Sequence, residues 1–215
     1  MRLSKKHDVR LNEILDVAEC LFADMGYEKA RVDHVLKNVG IGKGTLYYYF
    51  SSKEEMADGV IGRLLRHISE TAHAASDAQV ADAHNKMRNT MLALNLADSP
   101  HVPLLRSMGN PANALLHQKF TVGAIRAVAP ILAAVVKDGV REGLYSTEFP
   151  LETMEIVLAA NQIIYNWTIM DFTPEERRPR MVAFFRMIEL TLGAKEGSFN
   201  FLGEAYAPKV AEDNE

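Results

Sequence analysis

Apolar residues near the N-terminus recur with the spacing of one face of an α-helix. Leu11, Ile14, Leu15, Ala18, Leu21, Phe22 and Met25 fall at offsets 0, 3, 4, 7, 10, 11 and 14, which predicts a helix of about four turns with a single apolar side. The small Ala18 at mid-stripe leaves room for a close neighbour. Gly26, directly after the last apolar position, is a natural stop, because glycine takes φ > 0 without penalty. A shorter helix follows from Val32, Val35, Leu36 and Val39 and ends at Gly40. A third spans about Lys43 to Phe50, with Leu46 and Phe50 one turn apart and facing inward. Ser52 with Glu55 three residues later is a capping-box arrangement. It opens a fourth helix, which Met56, Val60, Ile61, Leu64, Leu65 and Ile68 carry to about Ala75.

Further helical patterns cover about 77–97, 101–109, 111–143, 150–172 and 174–193. Pro100, Pro103, Pro111, Pro150 and Pro174 sit at or near their starts, where a missing N–H costs least. Pro179 leaves open whether the last helix begins at Pro174 or a turn later. Pro130 interrupts an apolar helical pattern and is expected to kink or split it. No strand-like alternation and no repeat appears. The expected fold is all-α. A three-helix, helix-turn-helix head over 8–53 is joined by a long fourth helix to a helical body over 54–195. A tail over 196–215 is expected to pack loosely or to be partly disordered.

Charge sharpens this division. The net charge is −4, yet residues 1–53 hold nine Lys and Arg against seven acids while the remainder holds 15 against 21. A slightly basic head on an acidic body fits a nucleic-acid-reading module attached to something else. No apolar run is expected to reach the ~20 residues that span a bilayer. The charged N-terminus lacks an apolar h-region. The single cysteine, Cys20, excludes an internal disulfide framework and suits a reducing cytoplasm.

The most informative stretch is Val39–Glu54, VGIGKGTLYYYFSSKE. A helix that devotes its surface to Lys43, Thr45, Tyr47, Tyr48 and Tyr49 is poorly suited to vanish into a core. It is well suited to lie against phosphates and base edges. The ordered set Phe22-Ala23-Asp24-Met25-Gly26-Tyr27, Gly40-Ile41, Lys43-Gly44-Thr45-Leu46-Tyr47, Tyr49-Phe50 and Ser52-Lys53-Glu54 resembles the TetR family of bacterial helix-turn-helix transcriptional regulators over about residues 10–58. The resemblance implies that the third helix enters the major groove of an operator. Lys43 would then supply a cation for a phosphate or a guanine edge, and Thr45 a hydroxyl or a methyl. Gly42 and Gly44 remove side chains so that backbone N–H groups can approach the strand. Tyr47 and Tyr48 would meet backbone and bases; Tyr49 and Lys53 would meet phosphates.

The chain departs from the family pattern at Ala30 and Arg31, where threonines are common, and at His34, often acidic. A lost N-cap costs about 0.5–2 kcal/mol unless replaced. Arg31 gripping a phosphate is one compensation.

In the body, the last two helices are apolar on more than one face. The resemblance implies that they pair with their mates in a homodimer, with Met181, Phe184, Phe185 and Ile188 as interface candidates. Full burial by the tail is the alternative. Met87, Met91, Met108, His117, Phe120, Asn161, Tyr165 and Trp167 are candidate lining for a cavity that takes a small hydrophobic or aromatic effector.

The seven histidines and Cys20 show no metal-ligand spacing. Glu54-Glu55 and Glu175-Glu176 sit in first helical turns, where carboxylates complement the dipole. No nucleophile has a plausible local base, and no cofactor is expected. The expected function is therefore that of a cytoplasmic, homodimeric, sequence-specific DNA-binding regulator. A repressor released from a palindromic double-stranded DNA operator by a small molecule fits best. The alternatives are a TetR-like DNA binder without a small-molecule inducer, or a helical-bundle binding protein or enzyme whose motif no longer reads DNA.

Overall fold

Capping and proline placement fix where the predicted helices begin and end. The computed structural model describes residues 2–164 and 172–206, with side chains over 7–96, 98–162 and 172–203. Tyr165 and Trp167 lie outside the described residues. Within them the chain is all-α, with no strand. The helices are α1 (Arg2–Met25), α2 (Val32–Val39), α3 (Lys43–Tyr49), α4 (Lys53–Ser76) and α5 (Ala83–Ala93), then α6 (Val102–Ser107), α7 (Ala114–Arg141), α8 (Pro150–Ile164), α9 (Pro174–Leu192) and α10 (Phe201–Tyr206). Short 3-10 turns occupy Leu96–Asp98 and Pro111–Asn113.

Helix α5 starts six residues later than expected because Asp82 is its N-cap, accepting the Asn85 N–H at 2.8 Å. Helix α9 begins at Pro174, so Pro179 falls inside it. Thr173 and Glu176 exchange both capping-box hydrogen bonds, at 2.9 and 3.3 Å. Helix α7 runs unbroken through Pro130, against the expectation of a split. Pro130 is exposed, so the carbonyl one turn back that loses its partner can turn to water. One composition reading is corrected. The stretch Pro111–Arg141 is long and apolar enough to cross a membrane, with an 18-residue window of mean hydropathy 1.7. Half of that window is buried inside the protein, as a core helix would be.

By packing, the chain divides into two units. The first comprises Met1–Ile68 and Leu96–Ile125. Its core contains Ile14, Leu15, Ala18 and Phe22 of α1, Val35, Leu46 and Phe50 around the turn, Met56, Val60, Ile61 and Leu64 of α4, and Leu104, Leu116 and Phe120. Burying side chains of this size stabilises by about 1.5–3 kcal/mol each. Helix α1 packs most extensively on α6. The polar joint beneath is Asn113, wholly buried. Its Nδ2 donates to the Phe22 carbonyl at 3.1 Å and to Ser107, while its Oδ1 accepts the Tyr27 N–H at 2.7 Å. Beside it the Glu28 N–H donates to the Ala112 carbonyl at 3.0 Å. Gly26 has φ +85°, and a Cβ there would stand 2.6 Å from the Ala112 Cβ. Only glycine satisfies both conditions.

The second unit comprises Ser69–Asn95 and Arg126–Glu215. Met154 and Val157 of α8 and Phe184, Phe185, Ile188 and Leu192 of α9 fill its core with Met87 and Leu132. In the described part of the tail, Phe199 and Leu202 are buried. Phe199 is wholly buried and its N–H donates to the buried Glu189 carboxylate at 3.2 Å. His84 joins the same cluster, 2.9 Å from the Tyr145 hydroxyl and 3.1 Å from the Ser198 carbonyl. Burial pushes the Tyr145 phenol pKa up.

The interface candidates on α9 need correction at the level of the protomer. Phe184, Phe185 and Ile188 are buried within their own unit, and Met181 is half-buried. The apolar side chains that α9 leaves in water are Val182 (62% exposed), Met187 and Leu190 (65%), with Ile156 (64%) on α8. Periodicity shows that a helix has two apolar faces but not which of them its own chain covers.

Candidate nucleic-acid interface

The reading helix is held by two apolar anchors and one glycine turn. Leu46 and Phe50 are buried. Gly40 ends α2 in the left-handed conformation at φ +73°, and its N–H closes on the Leu36 carbonyl at 2.9 Å. The chain then re-enters helix at Lys43. Anchoring one face in this way turns the rest outward. Gly42, Lys43, Gly44, Thr45, Tyr47 and Tyr48 are all exposed, the two tyrosines by 53% and 74%. Tyr49 is half-buried.

The two glycines of this helix start have no internal reason to be glycine. Gly42 lies at φ −79°, Gly44 is helical, and a Cβ at either would meet nothing within 4 Å. The protein itself has room for side chains there. Lys43 sits 3.9 Å from Asp33 with both side chains well exposed, a weak pair that leaves the ammonium available.

Arg31 is exposed and occupies the N-cap position of α2 in an extended conformation. A guanidinium has no acceptor, so it cannot cap the helix itself. His34 supplies the return half of the box: its Nδ1 accepts the Arg31 N–H at 3.3 Å. Two of the departures from the family pattern, Arg31 and His34, thus compensate each other in part, a pairing that periodicity did not signal.

Lys53 is placed differently from the other cations. Its Nζ donates to the carbonyls of Tyr27 (3.0 Å), Ala30 (3.1 Å) and Glu28 (3.4 Å) and lies 4.2 Å above the centre of the Tyr27 ring. An ammonium has three donors, and here all three face carbonyls of the α1–α2 turn. In the free protein Lys53 therefore ties the start of α4 to the turn ahead of α2. A phosphate would have to share or displace these bonds.

The start of α4 is capped by Ser52, whose hydroxyl accepts the Glu55 N–H at 3.0 Å. Glu55 returns the bond one residue further back than the box predicts, accepting from the Ser51 hydroxyl and N–H at 2.6 Å each. Those bonds, the hydroxyl first, hold the Glu55 carboxyl below its ordinary pKa.

A residue absent from the sequence reading also reaches this surface. The His7 ring of α1 lies 4.7 Å from Tyr49 and 5.9 Å from Tyr48. No pattern in the letters points to it, because the contact is between helices.

The effector candidates divide between the two units. Met108 and Phe120 are buried and His117 half-buried in the first. Met87 is wholly buried and Met91 and Asn161 half-buried in the second. Burial holds the His117 pKa below its ordinary value. A cleft of about 500 Å³ in the first unit is lined by none of the six described candidates. Its walls are Asp16, Glu19, Cys20, Ala23, Arg63, Pro100, His101, Pro103 and Leu104. Charges there are paired: Arg63 donates to Asp16 at 2.5 Å and to Glu19 at 2.8 Å, and Glu19 also meets His101 at 2.6 Å, while the buried Arg63 Nε has no hydrogen-bond partner among the described residues. Among the described residues no group of three or more His, Cys, Asp or Glu could hold a metal ion.

Comparison with known proteins agrees with this geometry. Residues 14–60 match the family model described as bacterial regulatory proteins, tetR family, and residues 102–187 match the tetracyclin repressor-like C-terminal domain. The HTH-type transcriptional regulator YhgD of Bacillus subtilis is 24% identical over 157 residues, covering 72% of this chain and 82% of its own. The HTH-type transcriptional repressor KstR2 of Rhodococcus jostii is 40% identical over 52 residues, 24% of this chain and 26% of that protein. Among solved structures, SmeT, the repressor of the Stenotrophomonas maltophilia multidrug efflux pump SmeDEF, superposes with a TM-score of 0.66 at 16% identity, covering 87% of this chain and 92% of that one. The fatty acid degradation regulator FadR from Bacillus halodurans gives 0.61 at 18% identity, covering 87% and 96%.

Proposed function

Since this chain belongs to the TetR family of bacterial transcriptional regulators, we propose that it acts as a cytoplasmic homodimeric repressor of a palindromic operator. Being a transcriptional regulator that binds DNA is what the family membership carries. The observation that carries it is the outward set on α3. Lys43, Thr45, Tyr47 and Tyr48 stand in solvent around the buried Leu46, while Gly42 and Gly44 leave space that the protein does not use. In this reading Lys43 and Arg31 meet phosphates, Thr45 and Tyr47 reach base edges, and Tyr48 and Tyr49 flank the groove. Lys53 adds to phosphate binding only by sharing its carbonyl bonds.

A single short helix covers too few base pairs to specify an operator, so two heads are needed. The exposed apolar side chains Ile156, Val182, Met187 and Leu190 on α8 and α9 support a two-fold contact between copies. For the effector, the reading is a mainly hydrophobic or aromatic molecule with one or two polar anchors in the body, supported by the methionine-rich helices.

Selection of a duplex from a random-sequence library, followed by a gel shift across salt concentrations, tests the function. The expected result is a two-fold symmetric site. Lys43→Ala should weaken binding to every duplex and reduce the salt slope by about 1. A protein that selects no sequence overturns the proposal.

A further inference from the structure

We propose that the cleft of the first unit, walled by α1, α4 and the segment leading into α6, is a binding site for a small amphipathic amine. The protonated nitrogen sits at the Asp16 end and a compact apolar body runs toward Ala23. The inference stands apart from the operator reading and from the effector candidates, none of whose described members lines this cleft.

Helix α1 contributes Asp16, Glu19, Cys20 and Ala23 to the lining, at offsets 0, 3, 4 and 7, which is one helical face. From Asp16 to Ala23 this face runs about 10 Å at 1.5 Å per residue. Charge gathers at one end of it. Glu19 uses both oxygens, one on the Arg63 guanidinium at 2.8 Å and one on the His101 ring at 2.6 Å, and only 14% of its side chain is exposed. Asp16 takes the other arm of Arg63 at 2.5 Å through one oxygen and keeps its side chain 69% exposed. Past Glu19 the α1 lining is Cys20 and Ala23, and Pro100, Pro103 and Leu104 supply carbon from the facing wall.

The sign of the ligand follows from the charge count. Two carboxylates against one guanidinium leave the lining one negative charge, counting the imidazole as neutral. A carboxylate has about four lone-pair sites, so Asp16 can accept an ammonium while still holding Arg63. An anion would first have to displace Asp16 from the guanidinium. The Arg63 Nε that lacks a partner is buried, so it offers an anion no donor. The facing wall is built before any ligand arrives. Leu104 is wholly buried, Pro100 and Pro103 fix their own φ, and the His101 N–H donates to the Ser99 hydroxyl at 3.2 Å. Little ordering therefore opposes binding, and about 500 Å³ is within the range of small-molecule sites.

Phenylbutylamine, phenylbutanol and phenylbutyrate share one body and end in a cation, a neutral group and an anion. Each is titrated into the full chain by isothermal calorimetry. In parallel Cys20, the chain's single cysteine and an exposed residue of the cleft, is alkylated with iodoacetamide in the presence and absence of each compound. The amine should bind about ten-fold more tightly than the alcohol, the size of one charge-assisted hydrogen bond. The carboxylate should bind most weakly, and saturating amine should slow the alkylation of Cys20. Asp16→Asn should bring the amine to the level of the alcohol. An amine that does not bind, or binds no tighter than the alcohol or the carboxylate, overturns the proposal. Bound amine that leaves the alkylation rate unchanged also overturns it, because the compound then sits elsewhere. A folded Asp16→Asn that keeps the preference for the amine removes the anchor and the proposal with it. The three compounds on wild-type protein decide the outcome even where Asp16→Asn fails to fold.

Discussion

Replacing one hydrogen of Gly44 by a methyl group separates what the fold requires from what DNA requires. A Cβ there meets nothing within 4 Å, and glycine inside a helix costs about 0.5–1 kcal/mol relative to alanine. Gly44→Ala should therefore raise the melting temperature slightly while weakening operator binding, and paired thermal and anisotropy measurements check it. Asn113→Ala is the opposite case. It strips the Asn113 partner from the Tyr27 N–H, while the Phe22 carbonyl keeps the Gly26 N–H, and a buried unpaired polar group costs about 1–3 kcal/mol. Urea unfolding should show a loss of that order or more, with the head's own DNA surface untouched. His117 supplies a pH test. Burial lowers its folded pKa below 6.5, so its contribution is fully present above pH 6.5 and is lost as pH falls through the folded value. A chain with His117→Phe should lose less stability between neutral and mildly acid pH. At this scale the sequence was readable where the local chain decides, as at Gly26, which ends α1 with φ +85°. It was silent where a role needs a partner from elsewhere in the chain. Lys53 with three carbonyls, His34 under Arg31 and His7 over Tyr49 are all of that kind.

Helices were legible because 3.6-residue periodicity and caps are local. Their ends moved wherever a cap was not the expected residue, as at Asp82 for α5. The face that each helix presents is a different matter. Helix α9 has apolar residues on two sides, and the family resemblance put Met181, Phe184, Phe185 and Ile188 forward for the contact between copies. Phe184, Phe185 and Ile188 lie on the side of α9 that the protomer itself buries. The proposed contact instead uses Val182, Met187 and Leu190. Leu190→Glu should yield a folded monomer by analytical ultracentrifugation, whereas Phe184→Glu should unfold the second unit. Equal dimerisation in Leu190→Glu would remove α9 from the interface. At the start of α4, the lowered pKa of Glu55 has a defined sign. Its bonds to Ser51 contribute above the ordinary carboxylate range and are lost as pH falls through the folded value.

For the molecule as a whole, the proposed dimer should sediment at about 48 kDa, twice the chain's 24.0 kDa. Control by an effector is a demand on differences. Moving the heads from 99:1 to 1:99 requires a preference of about 5.5 kcal/mol for one arrangement. Tight binding alone does not supply it. A true inducer should raise the melting temperature and lower operator affinity together, and one that does only the first is a ligand without coupling.

The contact between Gly26 and Ala112 also limits how this chain can drift over generations. Position 26 is barred from every side chain by its backbone angle and by a methyl group 2.6 Å from where a Cβ would stand. Ala112 is mostly buried at the same point. Shrinking it to glycine would open space without freeing position 26, whose φ of +85° still excludes other residues. Enlarging it would strike the α1 turn. The pair leaves almost no viable substitution, while Tyr47 and Tyr48 a short distance along the chain are exposed and carry no part of this core. Lineages that come to read a new operator can therefore change their address and keep their hinge.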